Sequence, residues 1–298
     1  MAKKSDIIIG VIIGLSFLFF LFIILIGLSG ISIEEGTSSF YSMGKKVAII
    51  EIYGVIDNSN EVIRQLKKYS KDTSIPALVL DINSPGGGVV PSQEIYEEVL
   101  KFKKSGKKVV ASLRSLGASG GYYVACAADT IVANPGTLTG SIGVIFEFPV
   151  MQELFRKIGV KFEVVKRGEL KEVGTWNRSM TREERDLLQS VIDDTYDQFV
   201  KAVVEGRGLE QEKVLELADG RIFTGRQAKD LGLIDELGNF EDAVKIAGKM
   251  GGIEGVPKTI RERPKKVTLV DILTQSFKAI TNLRSNENLL PKLQYIFK

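Results

Sequence analysis

Ser119 stands among small residues that could hold a reactive hydroxyl. It lies in Gly-Ala-Ser-Gly-Gly-Tyr-Tyr at 117–123, between a predicted strand and a predicted helix. Small neighbours permit the sharp turn of a nucleophile elbow, which exposes the serine Oγ and aims the N–H of the next residue, Gly120, at a developing oxyanion. Close packing is the alternative role of small residues at such a junction.

A second glycine-rich run, Asn-Ser-Pro-Gly-Gly-Gly at 83–88, directly follows a predicted buried strand. Glycines expose backbone N–H groups and let another chain approach closely, so this run could supply a further oxyanion donor. A tight turn between a strand and a helix is the alternative interpretation. The run is not a phosphate-binding P-loop, because no Lys-Ser or Lys-Thr pair follows at the required spacing.

The general base cannot be a histidine, because the chain has none. This excludes Ser–His–Asp and Cys–His mechanisms, HExxH metalloproteases and histidine-ligated metals. The single cysteine, Cys126, excludes an intramolecular disulfide and a CxxC zinc site. Lys171 is a candidate base, although a lysine base must be neutral, which requires burial or neighbouring cations. An ordinary surface lysine is the alternative.

Five ordered blocks carry a family resemblance. They are Ser-Pro-Gly-Gly-Gly at 84–88, Ala-Ser-Gly-Gly-Tyr-Tyr at 118–123, Thr-Leu-Thr-Gly-Ser-Ile-Gly-Val at 137–144, Lys-Arg-Gly-Glu-Leu-Lys at 166–171 and Asp-Gly-Arg-Ile-Phe-Thr-Gly-Arg-Gln-Ala at 219–228. From about residue 47 to 247 the chain resembles the signal peptide peptidase A family, within the Clp-protease and crotonase superfamily. The resemblance implies an α/β fold of repeated ββα units with a mostly parallel sheet.

The resemblance also implies roles for five residues. Ser119 would be the nucleophile and Lys171 the general base, with Ser141 holding the lysine. The backbone N–H groups of Gly87 and Gly120 would form the oxyanion hole. No cofactor or metal is implied, and a Ser–Lys pair is a recognised variant of the catalytic triad.

The implied substrates are hydrophobic peptides such as remnant signal peptides, and ring-like homo-oligomers occur in the family. Two departures lie next to the base: Glu172 stands where family members often have Asp, and the proline that commonly follows is absent. Rival functions are a crotonase-like enzyme acting on acyl-CoA and a non-catalytic membrane scaffold. The net charge of +3 is too small to indicate a nucleic-acid partner.

Strands and helices alternate through the middle of the chain, which predicts a parallel sheet covered on both faces. Strands are predicted at 47–53, 77–82, 109–113, 130–133 and 161–165. A long helix is predicted at 181–205, with Thr181 and Glu184 forming a capping box at its start.

The N-terminal region predicts a membrane anchor. Residues 7–28 carry no charge, and 22 residues at about 1.5 Å each span a bilayer core of roughly 30 Å. A cleaved signal peptide is the alternative, although no A-x-A-like cleavage site follows. Lys3 and Lys4 precede the run, so the positive-inside rule places the N-terminus in the cytoplasm and the catalytic domain outside.

The chain therefore divides into four predicted regions. Residues 1–28 form a cytoplasmic stub and anchor, and 29–45 form a linker rich in Ser, Gly and Glu. Residues 46–250 form the Ser–Lys protease domain. Residues 251–298 form a basic and apolar C-terminal tail.

Overall fold

The computed structural model describes residues 13–21, 44–262 and 294–297, and the chain divides into two compact units, 1–44 and 45–298. In the first unit, residues 13–21 form a helix of exposed side chains. None of the described helices combines the length and apolarity needed to cross a bilayer. The predicted span at 7–28 extends beyond the described residues at both ends, and most of the predicted linker also lies outside them.

An eight-stranded sheet forms the centre of the second unit. The described strands are β1 (Lys46–Tyr53), β2 (Ala77–Ser84), β3 (Gly86–Gly88), β4 (Lys108–Ala118), β5 (Thr130–Ala133), β6 (Leu138–Gly140), β7 (Ile222–Thr224), β8 (Glu236–Leu237), β9 (Lys258–Arg261) and β10 (Gln294–Ile296). The sheet runs β7-β6-β4-β2-β1-β9, with β5 pairing with β4 and β8. Only the β6–β7 pair in it is antiparallel among the described strands, so the predicted mostly parallel α/β fold is confirmed.

Eight α-helices and a short 3₁₀ helix surround the strands within the described part of this unit. They are α1 (Asn60–Lys71), α2 (Val89–Lys104), α3 (Gly120–Ala125), α4 (Gln152–Ile158), the 3₁₀ helix Glu169–Glu172, α5 (Arg182–Arg207), α6 (Gln211–Leu217), α7 (Gly225–Asp230) and α8 (Phe240–Met250). The predicted capping box at the start of α5 is confirmed: the Thr181 hydroxyl accepts from the Glu184 N–H, and the Glu184 carboxylate accepts from the Thr181 N–H.

Helices cover both faces of the central strands, which explains their continuous apolar runs. Alternate β1 residues point to opposite faces: Val47 and Ile49 pack with the α8 residue Ala243, whereas Ala48 and Ile50 join the larger core beneath α1, α2 and α3. Burying both faces removes the polar–apolar alternation expected of a half-exposed strand and fixes the carboxyl ends of the strands at one edge.

A β-bulge shapes that edge. Ile82 pairs with Leu113, but Ser84 pairs with Gly117, so residues 114–116 of β4 stand opposite Asn83 alone. The Asn83 side chain accepts a hydrogen bond from the Leu116 N–H at 3.2 Å and holds the bulge in place. Bulges redirect the residues that follow them, and here those residues lead into Ser119.

The segment between β6 and α5 differs from the prediction. The predicted strand at 161–165 is wrong: these residues form no strand and all are exposed. Within this segment, α4 buries none of its side chains. Alternation of apolar residues alone does not make a strand when no neighbouring strand offers hydrogen bonds.

Candidate active site

Ser119 occupies a strained turn between β4 and α3. Its φ is 51° and its ψ is −119°, a sparsely populated conformation for a residue with a side chain. Its N–H donates to the Gly140 carbonyl at 2.8 Å, and its carbonyl accepts from the Tyr123 N–H at 2.8 Å. The Oγ is buried and has no hydrogen-bond partner among the described residues. A buried hydroxyl without a partner can still form a hydrogen bond with a group that the described residues do not supply.

The short strand β3 holds its backbone groups in fixed directions. The Gly86 carbonyl accepts from the Ile56 N–H at 2.9 Å, and the Gly88 N–H donates to the Ile56 carbonyl at 2.8 Å. Because backbone groups alternate in direction along a strand, the N–H and carbonyl of Gly87 face the opposite side. That side is occupied by β10, in which Tyr295 lies opposite Gly87.

The C-terminal strand β10 lies in a groove between two extended segments. On one side it pairs antiparallel with β3, and the Phe297 N–H donates to the Pro85 carbonyl at 2.7 Å. On the other side, Gln294 exchanges two hydrogen bonds with Ile145, at 3.2 and 3.1 Å. An extended peptide therefore fits this groove through main-chain hydrogen bonds on both edges.

The carbonyl of Tyr295 meets the backbone of Gly120. A Cβ on Gly86 would lie 2.0 Å from the Tyr295 carbonyl oxygen and 2.5 Å from the Gly120 nitrogen. Gly86 also has φ +96°, a conformation that disfavours any side chain. The absence of a side chain at Gly86 thus leaves space for the Tyr295 carbonyl oxygen on the side of the Gly120 nitrogen, as an oxyanion hole would require.

An aromatic pocket surrounds the Tyr295 side chain, which is fully buried. The ring stacks on Tyr123 at a centroid distance of 5.1 Å and lies 4.7 Å from the ring of Phe199. The hydroxyl donates to the Thr195 carbonyl at 2.9 Å. Burial raises the pKa of Tyr295, so the hydroxyl remains protonated and continues to donate.

Ser141 lies close to Ser119, directly after Gly140, whose carbonyl accepts a hydrogen bond from the Ser119 N–H. It too has a positive φ, of 50°, and its N–H donates to the Arg221 carbonyl at 2.8 Å. Ser141 is largely buried and lines a cavity with residues of α5. The structure thus brings Ser119, Gly87, Gly120 and Ser141 to one edge of the sheet.

Lys171 is not joined to this group. It lies exposed on the 3₁₀ helix Glu169–Glu172, and its Nζ makes no hydrogen bond or ion pair with a described residue. The Oγ of Ser119 has no partner among the same residues. Within one chain, therefore, the predicted base and the predicted nucleophile are not hydrogen-bonded to each other.

An ion network holds the turn that carries Lys171. The Glu172 carboxylate pairs with Lys166 at 2.7 Å and with Arg178 at 3.3 Å. Arg178 in turn pairs with Glu184, at 2.6 Å, at the start of α5. Hydrogen bonds from Arg178 and from the Thr181 backbone lower the pKa of Glu184 to about 2, against the opposing effect of desolvation. The network ties this turn to α5 while the Lys171 side chain stays unpaired within the described residues.

Sequence reasoning missed the extended strand β10 and its partner Ile145. Ile145 and Tyr295 were not predicted as site residues, because their roles depend on pairing between segments far apart in the chain. The run Tyr-Ile-Phe at 295–297 has high β-propensity, which could have predicted a strand. Nothing in that run indicates that its partner would be a strand of three glycines.

Comparison with known proteins shows the family of this chain. A model of peptidase family S49 matches residues 101–254, and a Clp protease model matches residues 33–135. The chain belongs to peptidase family S49. The S49 match covers the Ser119 turn, Ser141 and the Lys171 turn, whereas the Clp match covers the first strands and both glycine-rich runs.

Three S49 relatives show the extent of the similarity. A protein named as a protease from Synechocystis is 45% identical over 214 residues, which cover 72% of this chain and 77% of that protein. A protein named as signal peptide peptidase SppA from Enterococcus faecium is 36% identical over 226 residues, covering 72% of this chain and 64% of that protein. Protease 4 of Haemophilus influenzae is 34% identical over 219 residues, covering 70% of this chain but 35% of its own length. The chain is a serine peptidase of the signal peptide peptidase A type.

Proposed function

We propose that this S49 peptidase is a membrane-anchored endopeptidase with a Ser–Lys dyad, which cleaves hydrophobic peptides such as remnant signal peptides. The observation that carries the proposal is the position of β10. A peptide strand lies between β3 and Ile145, and its Tyr295 carbonyl approaches the Gly120 nitrogen beside the turn of Ser119. A substrate bound in the same way would present its scissile carbonyl to Ser119.

In the proposed reaction, the Ser119 Oγ attacks the substrate carbonyl while Lys171 accepts the hydroxyl proton. The N–H groups of Gly87 and Gly120 stabilise the tetrahedral oxyanion, and loss of one such donor typically slows catalysis about 10²–10³-fold. The intermediate collapses as the leaving amine takes a proton from the Lys171 ammonium. Lys171 then activates water, which hydrolyses the acyl-enzyme. Ser141 orients the neutral lysine amine.

Because one chain does not join Lys171 to Ser119, the dyad needs a further assembly step. We propose that a second copy of the chain completes it. The segment carrying Lys171 exposes many large apolar side chains, among them Val150, Leu154, Ile158, Val164 and Trp176. Extended apolar exposure of this kind is typical of protein interfaces. Burial in such an interface would also favour the neutral form of a lysine base.

The aromatic pocket supports a preference for a large apolar or tyrosine side chain on the acyl side of the scissile bond. The pocket combines the rings of Tyr123 and Phe199 with an acceptor for a hydroxyl, the Thr195 carbonyl. A charged side chain would find no partner of opposite charge among these groups. This lining agrees with hydrophobic peptides as the substrate class.

Membrane anchoring is proposed from the sequence. The uncharged run at 7–28 is long enough for a bilayer, and Lys3 and Lys4 favour a cytoplasmic N-terminus with the catalytic domain outside. An anchor on this chain would hold the groove of β3 close to peptides embedded in the same membrane. Two similar proteins are named as a signal peptide peptidase and Protease 4, which fits this location of substrate.

Active-site labelling and peptide cleavage test the proposal. The full chain, purified in detergent, is treated with a fluorophosphonate probe and then offered a peptide library. We expect one labelled residue, Ser119, and cleavage after aromatic or large apolar residues. Ser119→Ala should lose both signals, while Ser115→Ala, in the bulge before the turn, should keep them. Acyl-CoA turnover without peptide cleavage would favour a crotonase-like enzyme instead.

A further inference from the structure

A cavity of about 590 Å³ lies on the carboxyl side of Tyr295. Its walls come from three parts of the fold: the segment 141–145 that follows β6, the middle of α5, and the segment 218–220 that precedes β7. Ile296 and Phe297 of the C-terminal strand form a further part of its lining. The cavity is separate from the aromatic pocket, which encloses the Tyr295 side chain.

The direction of the bound strand relates this cavity to a substrate. Tyr295 lies opposite Gly87, so the equivalent residue of a substrate would contribute the scissile carbonyl. The residues equivalent to Ile296 and Phe297 would then belong to the leaving group. Because the Phe297 N–H donates to the Pro85 carbonyl at 2.7 Å, the chain stays extended along the groove beyond the scissile position. A longer peptide is thereby directed along this cavity.

The lining defines which leaving groups fit. Apolar surface comes from Val144, Ile145, Ile192 and Tyr196. Two carboxylates also border the cavity, and only one of them has a cationic partner among the described residues. Asp219 is neutralised by Arg221 at 2.5 Å, whereas Asp193 accepts a hydrogen bond from the Gln189 amide at 2.7 Å and pairs with no described cation. An acidic leaving group would meet the uncompensated Asp193 charge, while an apolar one would bury surface.

We propose that this cavity is the leaving-group subsite of the peptidase, selecting two successive apolar residues after the scissile bond and rejecting acidic ones. The inference rests on the proposed Ser119 acyl-enzyme. It predicts which residues the enzyme prefers after the scissile bond, whereas the aromatic pocket contacts the residue before that bond. It also requires substrates that continue at least two residues past the cleavage point.

Acyl transfer isolates this subsite from the rest of the reaction. A peptide ending in tyrosine methyl ester acylates the Ser119 Oγ and releases methanol. The acyl-enzyme then reacts either with water or with an added dipeptide amine. In the second case a C–N bond forms, the bond between the acyl carbon and Oγ breaks, and the proton lost by the amine returns to Oγ through the base. Only the amine needs the leaving-group subsite, so the ratio of the two products reports binding there.

The experiment uses the full chain in detergent, with H-Ile-Phe-NH₂ or H-Glu-Glu-NH₂ as the added amine. We expect the apolar dipeptide to be captured at least about tenfold more efficiently, corresponding to about 1.4 kcal/mol. Ile192→Asp should reduce that preference. Val191→Asp is the matched control, because Val191 is also on α5 and exposed but does not line the cavity. Asp193→Lys should raise capture of the acidic dipeptide.

Each outcome bears on the proposal. The subsite would be overturned if the enzyme cleaves the ester but captures both amines equally. It would also be overturned if Ile192→Asp and Val191→Asp change the capture ratio equally. Both results would leave the proposed catalytic function in place. Absence of ester cleavage in the unmodified chain would overturn the proposed function and this subsite with it. Altered capture by Asp193→Lys alone supports the subsite even if Ile192→Asp does not fold.

Discussion

Gly87 lies directly opposite Tyr295 in an antiparallel pair of strands. Both Gly87 backbone groups face β10, because the Gly86 carbonyl and the Gly88 N–H point to the other side, where both bind Ile56. Under the proposed function, the groove recognises main chain through β-pairing, while the aromatic pocket and the proposed leaving-group cavity contact side chains on either side of one carbonyl. This division is typical of peptide recognition by strand addition, where pairing gives affinity and pockets give specificity.

Gly86→Ala should nearly abolish peptide hydrolysis. The added methyl would occupy the point where a peptide carbonyl oxygen and the Gly120 nitrogen converge, and the residue would also need φ +96°. We expect kcat/KM to fall by at least about 10²-fold, the effect of losing one oxyanion donor. Gly136→Ala is the control, because its Cβ would meet no atom within 4 Å. Near-normal turnover by a folded Gly86→Ala enzyme would contradict the assigned oxyanion position.

Deletion of residues 294–298 should increase activity on short peptides, because β10 occupies the groove that a substrate strand needs. The expected change is a lower KM with little change in kcat, as for removal of a competitive inhibitor. The deletion should also lower the unfolding midpoint, since it removes the buried Tyr295 ring from the core.

Tyr295→Phe separates the two effects of that deletion. It keeps the ring and loses only the hydrogen bond to the Thr195 carbonyl, so we expect a stability loss of about 1 kcal/mol and a KM close to that of the unmodified chain. Steady-state kinetics well below the unfolding midpoint, together with thermal melts, provide the comparison. An unchanged KM in the deletion variant would count against occupancy of the groove by the tail.

Local patterns predicted much of the sheet and the turn at Ser119. Buried apolar runs such as 77–82 became strands, and the small residues around Ser119 formed a strained turn at the start of a helix. The groove was not predictable in the same way. Tyr295 pairs with β3 and Ile145 pairs with Gln294 of β10, in both cases between distant segments, and a tail rich in polar interruptions gives no indication of its partner.

The base illustrates a different limit. Lys171 was assigned through a family resemblance, because a single lysine among many carries no local signature. The fold places it on an exposed 3₁₀ helix in a segment that packs little against the core. A sequence can therefore suggest the residue types for a reaction without showing that one folded chain brings them into contact.

Mixing two inactive variants tests that assembly. Ser119→Ala and Lys171→Ala should each abolish hydrolysis, while an unfolding midpoint close to that of the unmodified chain would show that the fold is retained. If Lys171 of one copy serves Ser119 of another, co-assembly of the two variants will restore part of the activity, because some interfaces will contain both intact groups.

The peptidase activity of the co-expressed, co-purified pair is measured against that of each variant alone. The control is Ser119→Ala co-expressed with a second, differently tagged copy of Ser119→Ala and purified in the same way. A mixture of the two variants that is as inactive as each variant alone would rule out a shared dyad.

Glu184→Gln should destabilise the protein in a pH-dependent way. Its folded pKa of about 2 lies below its ordinary value of 4.5, mainly because Arg178 and the Thr181 backbone hydrogen-bond to the carboxylate. A carboxyl group with a lowered pKa adds stability that is fully present above about pH 4.5 and is lost as the pH falls through about 2. The stability difference between the unmodified chain and Glu184→Gln should therefore be largest near neutral pH and shrink steadily below pH 4.5. Urea unfolding at a series of pH values measures this difference.

Glu153→Gln is the matched control, because its pair with Arg156 is exposed on α4 and should contribute little at any pH. A difference for Glu184→Gln that stays constant from pH 7 to 3 would show that the ion network does not anchor the Lys171 turn through the charge of this carboxylate.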